Sequence, residues 1–410
     1  MSIPVQDDRP TQSSARFPLN AWYAAAWDVE VGRQLLPKTI CNRPVVLYRT
    51  AQGRAVALAD ACWHRLVPLS MGKLRGDDEV MCGYHGICFN AEGRATFMPA
   101  QKTINPSASV HAFPVVERHR FVWVWPGDPA LADPSLVPDM HENEDPAWAG
   151  DGKTIMAACD YQLIVDNLMD LTHEEFVHGS SLAQSALSES EMVVTHTDRT
   201  VTVTKWMLNI EPPPFWKKNL ADRFPDYDGP VDRWQIIKYQ APGTISIDVG
   251  VAKAGTGAPE GDRSQGVTGT VLNTMTPQTD RSCYYLWAFA RDWCLGSQAI
   301  TTRLREGVTG VFFEDELMLE AQQRGIDANP GYDFYNLNID AGGMWTRRIV
   351  AKMIAAEQDG ASSGVDESPV SGRLRSPQAE AAAAATATGS GIGVQSRSQD
   401  PTAGLVERGL

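Results

Sequence analysis

The sequence predicts an α+β fold: a small antiparallel β unit first, then a larger antiparallel sheet with covering helices. Three patterns carry that expectation. Short β-branched and aromatic runs punctuated by Gly and Pro fill residues 17–127. Longer runs of the same kind recur between 192 and 289. Two helix-period stretches, 297–324 and 345–357, follow them.

Residues 1–16 are polar and carry no apolar run, so they read as a disordered N-terminus rather than a signal peptide. Residues 44–48 and 55–59 read as strands joined across a turn at Gly53. Phe121-Val122-Trp123-Val124-Trp125 is a further strand, stopped by Pro126-Gly127. Residues 128–152, rich in Pro, Asp and Ala, read as loop, and 162–177 as helix. Strands are expected at 192–197, 201–207, 234–239, 244–251, 267–275 and 283–289, with Asp198-Arg199 turning the first pair. The long helix at 297–324 has Gly307 and Gly310 as points where it could break. From 358 to 410 Ser, Gly, Ala and Pro dominate, including the run Ala381 to Ala385, which reads as a disordered, solvated tail. The expected organisation is therefore 1–16 tail, 17–127 first domain, 128–357 second domain and 358–410 tail.

Composition narrows the function classes. The chain has 410 residues, 43% of them hydrophobic, enough for two domains with substantial cores. A net charge of −14 argues against nucleic acid as a partner. Of seven cysteines, the five at 41, 88, 159, 283 and 294 show no framework pattern and read as buried free thiols of a reducing, cytoplasmic compartment. No apolar stretch reaches the roughly 18 residues that a membrane-spanning helix needs.

Two Cys–His pairs stand out: Cys62-Trp63-His64 and, after 17 intervening residues, Cys82-Gly83-Tyr84-His85. Two thiolates and two imidazoles on paired loops can hold a Rieske [2Fe–2S] cluster, with cysteines on one iron and histidines on the other. Neutral imidazoles lower the cluster's negative charge and raise its potential. A structural zinc site also uses two cysteines and two histidines, but usually pairs like with like. Gly83 and Gly86 suit a backbone passing close to sulfur.

A second constellation lies at 166–178, where Asp170-Leu171-Thr172-His173-Glu174-Glu175-Phe176-Val177-His178 gives D-x-x-H-x-x-x-x-H. Two imidazoles and one carboxylate make the facial triad of a mononuclear non-haem Fe(II), which leaves positions open for dioxygen. Histidines five apart do not share a helical face, so the helix must end or distort before His178, and Gly179 fits a stop. Asp170 falls about one turn before His173 and suits the carboxylate or carbonyl that takes a ligating imidazole's other N–H. The third ligand must come from elsewhere. Asp315 shares a stripe with Val308, Phe312 and Leu319, and a metal would compensate its burial. Glu314 shares one with Val311 and Met318, so periodicity alone does not choose.

With Arg65 and Gly86 following the two cluster histidines, the chain resembles the Rieske non-haem iron oxygenases, although Trp63 stands where many members carry proline. Respiratory Rieske proteins join their cluster loops by a disulfide. Here Val67 occupies the first loop's expected cysteine position and Cys88 has no partner there, which favours the oxygenase branch. The resemblance covers about 17–357 and is nearest to vanillate O-demethylase oxygenase subunits and dicamba-type monooxygenases. It includes Phe17-Pro18-Leu19-Asn20-Ala21-Trp22 through Trp27 and Met98-Pro99-Ala100-Gln101.

The resemblance implies Cys62, His64, Cys82 and His85 on the cluster, and His173, His178 and Asp315 on the iron. It selects Asp315 over Glu314 through the Glu-Asp pair and the later Glu320-Ala321-Gln322-Gln323. It implies that Asp170 bridges His173 to His85 of a neighbouring subunit in a homotrimer, and that Asn167 lies near the iron without binding it tightly. The implied activity is O-demethylation of a methoxylated aromatic acid with O2, releasing formaldehyde. Electrons would come from a separate NAD(P)H-dependent reductase carrying flavin and an iron–sulfur centre, because the chain has no G-x-G-x-x-G unit of its own. Ile247, Val249, Tyr285 and Trp287 are candidate pocket residues, with core packing the commoner role for such side chains. Alternatives are a ring-hydroxylating dioxygenase with the same metals and a Rieske electron carrier without the second iron.

Overall fold

A computed structural model describes residues 16–99, 101–179, 185–359 and 370–374. The expectations for 1–15, for Ala100 and for most of the C-terminal tail lie outside the described residues. The architecture is α+β, and everything described belongs to one unit that ends at Leu374.

The N-terminal part is built from short strands: β1 (Tyr23–Trp27), β2 (Leu36–Ile40), β3 (Arg43–Arg49), β4 (Ala55–Ala59), β5 (Lys73–Arg75), β6 (Glu79–Met81), β7 (Cys88–Phe89), β8 (Ala95–Phe97), β9 (Ala112–Phe113), β10 (Val115–Arg118) and β11 (Phe121–Val124). They form three antiparallel sheets, ordered β1-β11-β10, β2-β3-β4-β9 and β5-β6-β7-β8. The β3–β4 hairpin turns at Gly53, whose φ of +87° is a left-handed value that glycine adopts without strain.

The C-terminal part is one large antiparallel sheet with helices on it. Its strands are β12 (Ala149–Ala157), β13 (Met192–His196), β14 (Thr200–Ile210), β15 (Val231–Gln240), β16 (Thr244–Lys253), β17 (Gly266–Thr279), β18 (Ser282–Arg291) and β19 (Val370–Leu374), in the order β12-β18-β17-β16-β15-β14-β13-β19. The helices are α1 (Tyr161–Met169), α2 (Glu174–Val177), α3 (Ser185–Glu189), α4 (Pro214–Arg223), α5 (Gln298–Ala328) and α6 (Ala341–Gln358). The two parts share core: Trp22, Trp27 and Trp123 pack with Leu272, Tyr284 and Leu286. Glu357 at the end of α6 accepts the backbone N–H groups of Leu19 (2.9 Å) and Asn20 (2.7 Å).

Several expectations are corrected. The segment at 162–177 is two helices, because Asp170 adopts an extended conformation (φ −131°, ψ 100°) after α1 and a 3-10 turn at Leu171–His173 precedes α2. Gly179 has no left-handed φ, so α2 stops without a glycine cap. Gly307 and Gly310 do not interrupt α5, which runs 31 residues. Its buried stripe of Leu304, Val308, Phe312, Asp315 and Leu319 holds it against the sheet, and packing outweighs glycine's weak propensity. Residues 149–152, read as loop, begin β12 instead. Gly150 and Gly152 fit because a Cβ there would meet the β18 carbonyls of Phe289 and Trp287. Helix α4 and edge strand β19, which pairs with β13, have no counterpart in the sequence reading, which placed 370–374 in the disordered tail.

Candidate metal centres

The two Cys–His boxes fold into matching loops. Leu66 N–H donates to the Cys62 carbonyl (2.8 Å) and Gly86 N–H to that of Cys82 (3.0 Å); each cysteine's own N–H closes its loop on Val67 or Ile87. The turn residue in each loop is left-handed: Leu66 at φ +59° and Gly86 at φ +72°. At Gly83 a Cβ would lie 2.7 Å from the carbonyl oxygen of Met71, in the 3-10 turn Leu69–Met71 that follows the first loop. Cys62 and Cys82 are buried among Leu69, Val80, Ile87 and Phe89, whereas His64 and His85 stand at the surface with ring centroids 4.7 Å apart. Burial, reinforced by the adjacent Cys82 thiol, pushes the Cys62 thiol up. Thiols thus pair on the inner side and imidazoles on the outer, the partition a Rieske cluster needs.

The second centre assembles from three elements. His173 comes from the 3-10 turn, His178 follows α2 directly, and Asp315 projects from α5; their ligating atoms all lie within 4.8 Å of one another. His173 Nε2 is 3.4 Å and His178 Nε2 3.3 Å from Asp315 Oδ1. The other ring nitrogens are held. His173 Nδ1–H donates to the Asp170 carbonyl (2.7 Å), and His178 Nδ1–H to Glu314 Oε2 (2.7 Å). Both Nε2 lone pairs therefore point at the space beside Asp315. The Asp170 carboxylate does something else: it caps the turn, accepting from Thr172 N–H (3.0 Å) and Thr172 Oγ1 (2.9 Å). Asn167 Nδ2 lies 3.4 Å from His173 Nε2 and 3.3 Å from Asp315 Oδ1.

Electrostatics mark the same cluster. Burial pushes the Asp315 carboxyl up, but His173 and His178, when they carry both ring protons, outweigh it by hydrogen bonding and charge and hold the group below its ordinary value. Burial lowers both imidazoles, and Asp315 raises them by more. The Asp315 side chain is 8% exposed, whereas that of Glu314 is 43% exposed. Two nitrogens and one buried oxygen converging in this way are a donor set suited to a divalent transition metal with open positions.

A cavity of about 80 Å³ adjoins this triad, lined by His173, His178 and Asp315 on one side. Ile247 and Val249 line it. Tyr285 and Trp287 do not; they pack behind Phe312 at ring-centroid distances of 5.2 and 5.1 Å. Tyr285 borders a smaller neighbouring space with Asn167 and Asp315. The sequence reading missed Glu174, Arg233 and Gln235, which line the cavity as buried polar groups. Its available signal was Arg233-x-Gln235 on the face that continues as Ile237 and Tyr239.

Comparison with known proteins now decides the family. A Rieske [2Fe–2S] domain matches residues 21–114, and the vanillate O-demethylase oxygenase C-terminal domain matches 157–356. A vanillate O-demethylase oxygenase subunit from Pseudomonas sp. (strain ATCC 19151) is 44% identical over 320 residues, covering 78% of this chain and 96% of the relative. The chain belongs to the Rieske non-haem iron oxygenases. It is also 38% identical to the toluene-4-sulfonate monooxygenase system iron–sulfur subunit of Comamonas testosteroni, over 84% of this chain and 99% of that one. The crystal structure of dicamba monooxygenase with non-heme iron and dicamba superposes with a TM-score of 0.72 at 31% identity, covering 84% of this chain and 100% of that one. This Rieske oxygenase is an oxidoreductase whose cofactors are a [2Fe–2S] cluster and a mononuclear non-haem iron.

Proposed function

We propose that this chain is the oxygenase component of an O-demethylase acting on a methoxylated aromatic acid, vanillate-like in form. The observation that carries the reading is the imidazole–imidazole–carboxylate triad at one wall of a largely apolar cavity. The relatives above are named for vanillate, dicamba and toluene-4-sulfonate, all aromatic anions. Cys62, His64, Cys82 and His85 hold the cluster, and His173, His178 and Asp315 hold the iron. When bound, these groups supply electrons and oxygen activation.

The chain's own residues set the geometry. The Asp170 carbonyl and the Glu314 carboxylate fix the two imidazole tautomers, so both Nε2 atoms present lone pairs. Asn167 steadies Asp315 by a hydrogen bond. Ile247, Val249 and Phe289 form an apolar wall that orients a ring and excludes water. Hydroxylation of an aryl methoxy carbon gives a hemiacetal, which collapses to formaldehyde and a phenol.

Reduction comes from a separate NAD(P)H-dependent reductase. The functional unit is a homotrimer in which Asp170 meets His85 of a neighbouring copy. Exposed apolar side chains accompany both centres, Leu66, Met71 and Tyr84 at the cluster loops and Phe176, Phe313 and Met318 near the triad, which supports burial of both in an assembly. No helix among the described residues is long and apolar enough to cross a membrane, and we place the protein in the cytoplasm.

The test is incubation with reductase, NADH and a panel of methoxybenzoates. Formaldehyde in step with substrate loss supports the proposal. A ring diol without formaldehyde points to a ring-hydroxylating dioxygenase.

A further inference from the structure

The cavity beside the triad contains a guanidinium whose hydrogen-bonding capacity is only part-used. Arg233, on β15, is 1% exposed. Its Nη2 donates to Glu174 Oε2 at 2.8 Å. Glu174 Oε1 is taken by Gln235 Nε2, also at 2.8 Å. Both carboxylate oxygens are thus engaged, Oε2 by Arg233 and Oε1 by Gln235. Arg233 Nε and Nη1, and Gln235 Oε1, are buried with no hydrogen-bond partner among the described residues.

A buried unpaired donor on a cation carries a large desolvation penalty, so a stable protein retains one where a ligand completes it. Most of the remaining wall is apolar: Leu168, Leu171, Val271, Phe289, Val308 and Phe312. The chain therefore offers a largely apolar cavity whose wall carries the N–H donors of Arg233 as well as His173, His178 and Asp315. Among the described residues, the counter-charges lining it are Glu174, already paired, and Asp315, a candidate metal ligand.

We propose that Arg233 is the anchor for the anionic group of the aromatic substrate, positioned by Glu174, with Gln235 Oε1 accepting from a donor on the same ligand. This rests on the aromatic-acid reading above and adds the residue that selects the acid. The oriented guanidinium grips a carboxylate or a sulfonate through charge-assisted hydrogen bonds, while a neutral analogue leaves it unsatisfied. Specificity for an anion thus comes from β15, whereas the ring is held by the neighbouring strands β16, β17 and β18.

The test compares 3-methoxybenzoate with 3-methoxybenzamide, which match in shape and differ in charge. Anaerobic holoprotein is titrated with each by equilibrium dialysis, which reads bound compound directly, and both compounds are then assayed for formaldehyde. The acid is expected to bind on the order of 10–100-fold more tightly than the amide, the range of a hydrogen bond to a charged group. In Arg233→Gln this preference collapses. The double substitution Glu174→Gln/Arg233→Gln, which leaves no unpaired buried charge, collapses it too and covers the case in which the single variant does not fold. Equal binding of acid and amide by the wild-type protein, or an undiminished acid preference in either variant, overturns the anchor. If wild-type protein then still releases formaldehyde, the O-demethylase proposal stands without it. Tighter acid binding with formaldehyde from neither compound supports the anchor and counts against the O-demethylase reading.

Discussion

Glu314 Oε2 lies 2.7 Å from His178 Nδ1, so the residue that competes with Asp315 in the sequence turns out to hold that imidazole from behind. Adjacent residues on α5 thus face opposite nitrogens of one ring, Glu314 toward Nδ1 and Asp315 toward Nε2 at 3.3 Å. A partner of this kind usually contributes about 10–100-fold to metal affinity. Glu314→Ala is therefore expected to weaken mononuclear iron binding by that order while the cluster spectrum is unchanged. Iron titration of the apo-protein measures it, and unaltered affinity would remove Glu314 from the account.

Asp170 holds His173 through its backbone, which no side-chain change removes. Asn at this position can still accept from Thr172 N–H, so Asp170→Asn is expected to change stability by less than about 0.5 kcal/mol. Both metals should be retained and coupled turnover lost. Oxygen uptake with product analysis checks this, and turnover at wild-type rate contradicts the bridging role of the carboxylate.

Gly83 faces the turn that follows the first cluster loop across a gap that admits no side chain: its Cβ would sit 2.7 Å from the Met71 carbonyl oxygen. Both groups are backbone, so neither can rotate away. Gly83→Ala should destabilise the loop pair by about 1–3 kcal/mol. The visible circular dichroism of the cluster should bleach at lower temperature than in the wild type, with the triad's iron content unchanged.

Glu357 is held above the ordinary carboxylate value of 4.5 by burial, which outweighs the backbone hydrogen bonds from Leu19 and Asn20. A carboxyl whose folded pKa exceeds its unfolded one binds its proton more tightly in the native state. Its contribution to stability is complete below the unfolded value and is lost as pH rises through the folded one. Measured against Glu357→Gln, which does not titrate, the wild type should lose relative stability as pH climbs from about 4.5 toward neutrality. Denaturant midpoints of both proteins across that range provide the comparison, and a difference that grows with pH in the wild type's favour contradicts it.

Much of this was legible in the sequence because metal ligation constrains residue type and spacing together. The two Cys–His boxes needed only local loops, and the stripe of Val308, Phe312, Asp315 and Leu319 is the stripe that α5 buries. Periodicity could not separate Asp315 from Glu314, since the difference lies in which nitrogen of His178 each one meets. The break at Asp170 was hidden because residues 162–177 contain neither Gly nor Pro to mark it. The extended backbone there depends on the capping of Thr172 and the capture of His173, both local polar contacts that propensity does not register. Arg233 and Gln235 were missed for another reason: Arg233 falls just before the expected strand 234–239, and their partner Glu174 is distant in sequence.

The central claim is that one chain holds two separate iron centres on these two residue sets, and iron stoichiometry tests it most directly. Anaerobically reconstituted wild-type protein should contain about three iron atoms per chain, and Asp315→Ala about two with the cluster's visible spectrum intact. Colourless, iron-free wild-type protein, or an Asp315→Ala variant with full iron content, would contradict it.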